Sequence, residues 1–179
     1  HTIFDFLHRD LPLRRIALVA SLLKDCHVEI TEKNRLTQRI VTEQKSDGGW
    51  IDCEDTAWAL FLISDINQLD IQIQKNRRWL DNEKCMEKGW GFCKRDKPCI
   101  PITAQILYFL TDLFPNTESV LWLEKVWEKD LNAPVNLNYK AAWYLLAYYK
   151  FHNKINLSDE LFSATLAYLI TEQRPDGSW

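Results

Sequence analysis

The chain of 179 residues sets 22 Lys and Arg against 25 Asp and Glu, a formal charge of -3, and 46% of its positions are hydrophobic. That composition predicts one globular domain with a sizeable buried core. Charges of both signs are interspersed without a run of five, so no basic patch is available for phosphates and nucleic acid is excluded as a partner. No apolar stretch reaches the roughly 18–20 residues of a spanning helix, which leaves a soluble protein or one that meets a membrane only peripherally.

Five Gly and six Pro are few, and eight Trp are many, for this length. Scarce breakers with abundant Trp, Leu and Ala predict an all-α protein. Five cysteines are an odd number in a chain too large to need stapling, which points to free thiols in a reducing, cytoplasmic compartment. Cys85, Cys93 and Cys99 form a cluster, but His1, His8, His27 and His152 do not stand at zinc-ligand spacing from it, so no metal is expected there. The opening His1-Thr2-Ile3-Phe4-Asp5 lacks the basic and apolar regions of a signal peptide, and a chain that starts at His reads as a piece of a longer one.

In chain order, the first predicted element is a helix over about Leu11 to Cys26. An amphipathic helix follows, with Leu36, Ile40 and Val41 as a one-sided stripe running to Gln44. Asp47-Gly48-Gly49 then offers residues that tolerate positive φ where a helix must stop. The next helix, from Thr56 to Ile66, is apolar or small at nearly every position and is predicted to be buried nearly all round. Pro101 to Leu113 and Ala141 to Phe151 have the same character.

This alternation is a repeat. Thr42-Glu43-Gln44-Lys45-Ser46-Asp47-Gly48-Gly49-Trp50 recurs as Thr171-Glu172-Gln173-Arg174-Pro175-Asp176-Gly177-Ser178-Trp179, an offset of 129 residues or three times 43. Lys88-Gly89-Trp90-Gly91-Phe92 is a degenerate copy between them, and a third, near Lys129 to Asn138, has lost its glycines. The segments after the turns align as Asp55-Thr56-Ala57-Trp58, Ile102-Thr103-Ala104-Gln105 and Lys140-Ala141-Ala142-Trp143. Each unit is therefore a helix, a turn and a second helix, with amphipathic first helices outside and apolar second helices inside. Periodicity alone leaves an open solenoid and a closed ring equally available.

Gln-x-x-Asp-Gly-x-Trp, followed by Asp-Thr-Ala-Trp-Ala-Leu, resembles the Gln-Trp repeat of the terpene cyclase and protein prenyltransferase superfamily, including squalene-hopene cyclases. The resemblance covers about residues 35 to 179. It implies tandem hairpins in an α/α toroid whose inner helices line an apolar cavity, with Gln44, Trp50, Gln173 and Trp179 as structural ties. About four hairpins are countable where a complete toroid of that family has six, so the expectation is an incomplete α/α barrel or a fragment with further domain sequence after Trp179.

Comparison among the repeats isolates three carboxylates, Asp52, Glu54 and Asp55, that appear in the first unit only. Crowding and burial raise the pKa of at least one such acid, which can then hold a proton at neutral pH. Asp52-Cys53-Glu54-Asp55-Thr56-Ala57 resembles the Asp-x-Asp-Asp-Thr-Ala acid motif of class II terpene cyclases, with Glu in place of the middle Asp. The resemblance makes Glu54 the proton donor, Asp52 and Asp55 its supports, and an isoprenoid the substrate, in a cyclisation that needs no metal or other cofactor. Trp58, Tyr108, Trp143, Tyr144 and Tyr148 would then wall the cavity and stabilise a carbocation.

A structural reading stands beside this one. Asp52 is a good N-cap and Asp55 lies three residues on as in a capping box, while acids suit a first helical turn. The matching functional alternative is a non-catalytic α/α scaffold that binds a lipid or a protein partner. His27 beside Cys26 lacks an orienting partner in the sequence, and no Asp-Asp-x-x-Asp run supports diphosphate-dependent chemistry.

Overall fold

A computed structural model of the chain describes residues 13–30, 33–66, 69–113, 116–133 and 137–178. Among them are eight α-helices and no strand: α1 Leu13–Asp25, α2 Lys33–Glu43, α3 Cys53–Ile63, α4 Asp70–Glu83, α5 Ile100–Phe109, α6 Thr117–Leu131, α7 Asn138–Phe151 and α8 Asp159–Glu172. The chain divides into two compact units, His1–Glu83 with α1 to α4 and Lys84–Trp179 with α5 to α8. None of the helices is long and apolar enough to cross a membrane.

In the first unit α3 is the central element, packed by α1, α2 and α4. Its sequence explains this: Ala57, Trp58, Ala59, Leu60, Leu62 and Ile63 are all buried, on every side of the helix. The outer helices bury single stripes, Leu36 and Ile40 on α2 and Ile73, Asn76 and Leu80 on α4. In the second unit α5 has the central character, with Ile100 and the run Ile102 to Phe109 buried. Around it, α6 supplies Val120, Leu123 and Trp127, α7 supplies Ala141, Tyr144 and Tyr148, and α8 supplies Leu161. Trp127 Nε1 donates to Thr165 Oγ1 at 2.7 Å and so ties α6 to α8.

The expected burial nearly all round holds for α3 and α5 and fails for α7. Tyr139, Ala142, Leu146 and Tyr149 make an exposed stripe along it, at 52% for Tyr139 and 69% for Tyr149. The central helices also start earlier than their apolar runs. Asp52 caps α3 ahead of Thr56, and Cys99 stands at the N-cap of α5 with Pro101 in its first turn. The expected start of α1 at Leu11 lies outside the described residues.

Three turns share one hydrogen-bond pattern. The N–H of Lys45 donates to Gly49 O at 2.9 Å, that of Cys85 to Gly89 O at 2.9 Å, and that of Arg174 to Ser178 O at 2.8 Å. Each turn passes through a positive φ, at Gly48 (106°), Lys88 (77°) and Gly177 (82°). In the first two, a threonine from the following helix then clamps the chain. Trp50 N–H donates to Thr56 Oγ1 at 3.0 Å, and Trp90 N–H to Thr103 Oγ1 at 2.8 Å. Thr56→Val keeps the shape and strips the buried Trp50 N–H of that acceptor. We expect a loss of about 1–3 kcal/mol in urea unfolding with an unchanged m-value.

Candidate functional site

Asp52, Glu54 and Asp55 meet one cation, Arg14 of α1. Its Nη1 lies 2.9 Å from Asp52 Oδ2 and 3.8 Å from Asp55 Oδ2, and its Nη2 is hydrogen-bonded to Glu54 Oε2. The guanidinium carbon sits 5.8 Å from the centroid of the Trp58 ring, a cation–π distance. Arg14 reaches all of them because α1 packs along α3, with Ile16, Ala17 and Ala20 buried at the contact face and Ser21 Oγ donating to Trp58 O at 3.3 Å.

The acids have separate roles. Asp52 is the N-cap, its Oδ1 accepting from Asp55 N–H at 2.9 Å, while its other oxygen takes the ion pair with Arg14. Glu54 stands on the Arg14 side of the helix, in ion-pair contact. Asp55 turns inward: the residue is 4% exposed and neither carboxylate oxygen has a hydrogen-bond partner. Burial, and after it the Asp52 charge, raise its pKa to about 6, against the lowering pull of Arg14. The carboxyl best prepared to hold a proton is therefore Asp55, where the motif resemblance implies Glu54.

Asp55 borders a small cavity of about 50 Å³, where Leu13, Ala17, Trp50 and Ile51 meet the charged side chains of Arg14, Glu43 and Lys45. A larger cavity of about 500 Å³ in the same unit lies away from the acids, at the end of α1 against α2, with Lys24, His27, Leu36, Ile40 and Leu62 in its lining. Lys24 is occupied at the C-terminal end of α3, donating to Phe61 O at 2.5 Å and Asp65 Oδ1 at 3.1 Å. Burial lowers its pKa. His27 adopts φ 57° where α1 ends, beside an exposed Cys26.

The residues expected to form the aromatic wall fall in both units. Trp58 belongs to the first unit and is buried at 3% exposure. In the second unit Tyr108 meets Trp143 edge-on, with ring centroids 6.3 Å apart. Tyr144 turns elsewhere and stacks on Trp127 at 5.7 Å, its hydroxyl buried without a hydrogen-bond partner and its pKa pushed up by that burial. Tyr148 stacks on Phe162 at 4.7 Å and its hydroxyl bonds Asp159. Cys85 Sγ donates to Asp96 O at 3.3 Å, and among the described residues no group of three or more His, Cys, Asp or Glu is placed to hold a metal ion.

Arg14 is the residue that sequence reasoning missed. It lies on α1, outside the repeat, so comparison of one repeat with another has nothing to set against it. The one available signal is charge: Arg14 and Arg15 enter a helix that is otherwise uncharged up to Lys24. Comparison of the chain with known protein families, with curated proteins and with solved structures finds no match.

The raised pKa of Asp55 fixes a sign. A group whose folded pKa lies above its unfolded value contributes stability that is present below the unfolded pKa, near 3.8, and is lost as pH rises through about 6. Unfolding free energy is expected to fall by roughly 2–3 kcal/mol over that window, and Asp55→Asn to remove this component of the slope. Carboxyl carbon chemical shifts check the assignment directly, with Asp55 titrating near 6 and moving higher in Arg14→Met.

Proposed function

We propose that this chain carries a terpene cyclase-like acid site, in which the Asp55 carboxyl protonates an alkene of an isoprenoid and starts its cyclisation. The observation that carries the reading is the Asp55 carboxyl itself. It is buried, its oxygens are unclaimed by hydrogen bonds, its pKa is raised, and it opens onto a cavity that Leu13, Ala17, Trp50 and Ile51 line together with the charged Arg14, Glu43 and Lys45. In the step proposed, the Asp55 O–H bond breaks, a C–H bond forms at one alkene carbon, and the cation develops on the other. Ring closure moves that cation along the chain, and loss of a proton to a base ends the sequence with no net change in the acid.

The supporting residues follow from the geometry. Asp52 fixes the start of α3 and hence the position of Asp55. Arg14 balances Asp52 and Glu54 and lowers the Asp55 pKa, which makes it a stronger acid than burial alone would leave. Exclusion of water around the cation then matters most, because bulk water would quench it. The α/α toroid that the Gln-Trp resemblance implies, with the substrate body in its apolar cavity, belongs to this reading, as does a cytoplasmic setting at the membrane surface where such lipids reside.

A specific observation favours the second reading, an α/α scaffold that binds a lipid or protein. The space beside Asp55 is about 50 Å³, whereas pockets for small molecules run to roughly 300–1,000 Å³. On that reading Arg14 and the three acids form a brace between α1 and α3 and do no chemistry.

One experiment separates them. The protein is incubated with isoprenoids from farnesyl to squalene length in buffer free of divalent metal, and products are followed by mass spectrometry for the parent, Asp55→Asn and Glu54→Gln. Cyclised product that is lost in Asp55→Asn, retained in Glu54→Gln, and formed faster as pH falls through about 6 is the expected result. Loss in Glu54→Gln alone would return the donor to Glu54. Absence of product from every folded variant would overturn the acid site in favour of the scaffold.

A further inference from the structure

The second unit departs from the first in the connection between its turn and its central helix. The threonine that clamps the turn stands 6 residues after Trp50 but 13 after Trp90, so the second connection is longer by seven residues. An insertion confined to one repeat maps to a loop on one face, and that face is often the one that binds.

The inserted chain folds into a tight loop. Asp96 N–H donates to Cys93 O at 3.0 Å and Cys93 N–H to Asp96 Oδ2 at 3.2 Å, which closes a turn with Lys94 and Arg95 at its tip. Cys85 Sγ donates to Asp96 O at 3.3 Å and ties this turn to the one from Cys85 to Gly89, whose tip is Met86 and Glu87. Cys99 N–H then returns the chain to Trp90 O at 3.0 Å. A Cβ on Gly91 would fall 2.7 Å from Asp96 and 2.8 Å from Lys97 O, so the loop lies closely back on itself.

What these two turns display is unlike the rest of the chain. Residues 84–98 hold five of the 22 cations and two of the 25 acids, a net charge of +3 in a chain of -3. Lys88 is paired with Glu118 at 3.1 Å and Lys84 lies 5.2 Å from the centroid of the Trp90 ring, whereas Lys94, Arg95 and Lys97 are exposed on the inserted loop. Asp96, one of the two acids, directs its carboxylate back to Cys93 N–H. The same pair of turns exposes two large apolar side chains, Met86 at 95% and Phe92 at 47%. At the position of Met86 the other turns carry Ser46 and Pro175. No run of like charge announces the cluster in the sequence, because folding gathers cations that acids and apolar residues separate along the chain.

We infer that this pair of turns is a docking surface for a membrane leaflet that carries anionic lipid. Met86 and Phe92 enter the headgroup layer, while Lys94, Arg95 and Lys97 meet the phosphates and carboxylates of the lipids. Local positive charge on a negative chain selects an anionic partner, and apolar tips flanked by cations fit the boundary between headgroups and acyl chains. Four Lys to one Arg favour lipid over an acidic protein, because protein interfaces are depleted of Lys and enriched in Arg. The inference stands on the second unit alone and holds whether or not Asp55 does chemistry, so its failure would leave the acid site untouched.

The test sediments the chain with vesicles of phosphatidylcholine alone and of phosphatidylcholine with about a third phosphatidylserine. We expect binding to the anionic vesicles only. Each Lys or Arg at such a surface accounts for about fivefold in affinity, so Arg95→Gln with Lys97→Gln should weaken binding by about thirtyfold. Met86→Ser should weaken it by about tenfold. All three side chains are exposed, so Tm should not move. Arg35→Gln with Arg174→Gln removes the same charge elsewhere and should leave the affinity within about twofold. Equal binding to both kinds of vesicle, binding to neither, or an equal loss in the Arg35 and Arg174 pair would overturn the inference. So would soluble polyglutamate that binds as tightly as the vesicles and is indifferent to Met86→Ser, since the surface would then belong to an acidic protein.

Discussion

Everything in this fold hangs on a short turn that must close on itself before a helix can return. The closure is a backbone bond from the second residue after the helix to an oxygen four residues on, and the residue before that oxygen takes a left-handed conformation. Glycine meets that demand freely at 48 and 177, whereas Lys88 meets it at a cost that its surroundings must offset. What surrounds Lys88 is substantial: Thr103 holds the Trp90 N–H, Ser119 takes the Lys88 carbonyl, and the Trp90 ring is fully buried beneath Lys84. A degenerate turn can survive where its packing does not change.

The turn also explains why Thr recurs at 56 and 103. At both positions its hydroxyl accepts from the N–H of the turn tryptophan, and Thr56 also donates to Asp52 O at 2.7 Å. The Thr of Asp55-Thr56-Ala57 is thus a structural residue shared between repeats, and the functional content of that segment contracts to its acids. Where Thr is replaced, at Ala141, the glycines of the preceding turn are gone as well, and Lys140 pairs with Asp130 at 2.7 Å instead. Clamp and glycine turn are lost together because the one exists to satisfy the other.

These relations set what the sequence can tell. Helix content, the alternation of outer and central helices and the two Gln-to-Trp turns are visible because each depends on residues close in the chain. The exposure of α7 is not, because α5 and α7 are both apolar, and hydropathy says what a helix would bury without saying what neighbour covers it. Arg14 is hidden for a similar reason. Its partners stand about 40 residues away on α3, and only the packing of α1 on α3 brings it to them. The distinction between Glu54 and Asp55 is finer still. Neighbours on a helix point about 100° apart, so the acid that faces inward is decided by the side on which α1 packs, a tertiary fact that the pattern Asp-x-Glu-Asp does not contain.

That division also changes how the acid cluster is to be understood. Helix capping and proton holding look like rival explanations of three adjacent carboxylates when each is weighed as a whole. In the structure they are distributed: one oxygen of Asp52 caps α3 while the other binds Arg14, and Asp55 is carried inward by the turn that Asp52 starts. The cap is what makes the burial of Asp55 affordable, because a helix start fixed by Asp52 and braced by Arg14 cannot rotate to bring Asp55 back to water. A buried carboxyl without hydrogen bonds is costly in either protonation state, and more so when ionised. Set beside a cation that pairs with its neighbours more closely than with itself, the Asp55 carboxyl holds its proton up to about pH 6, a property of its burial that the capping by Asp52 permits and does not by itself produce.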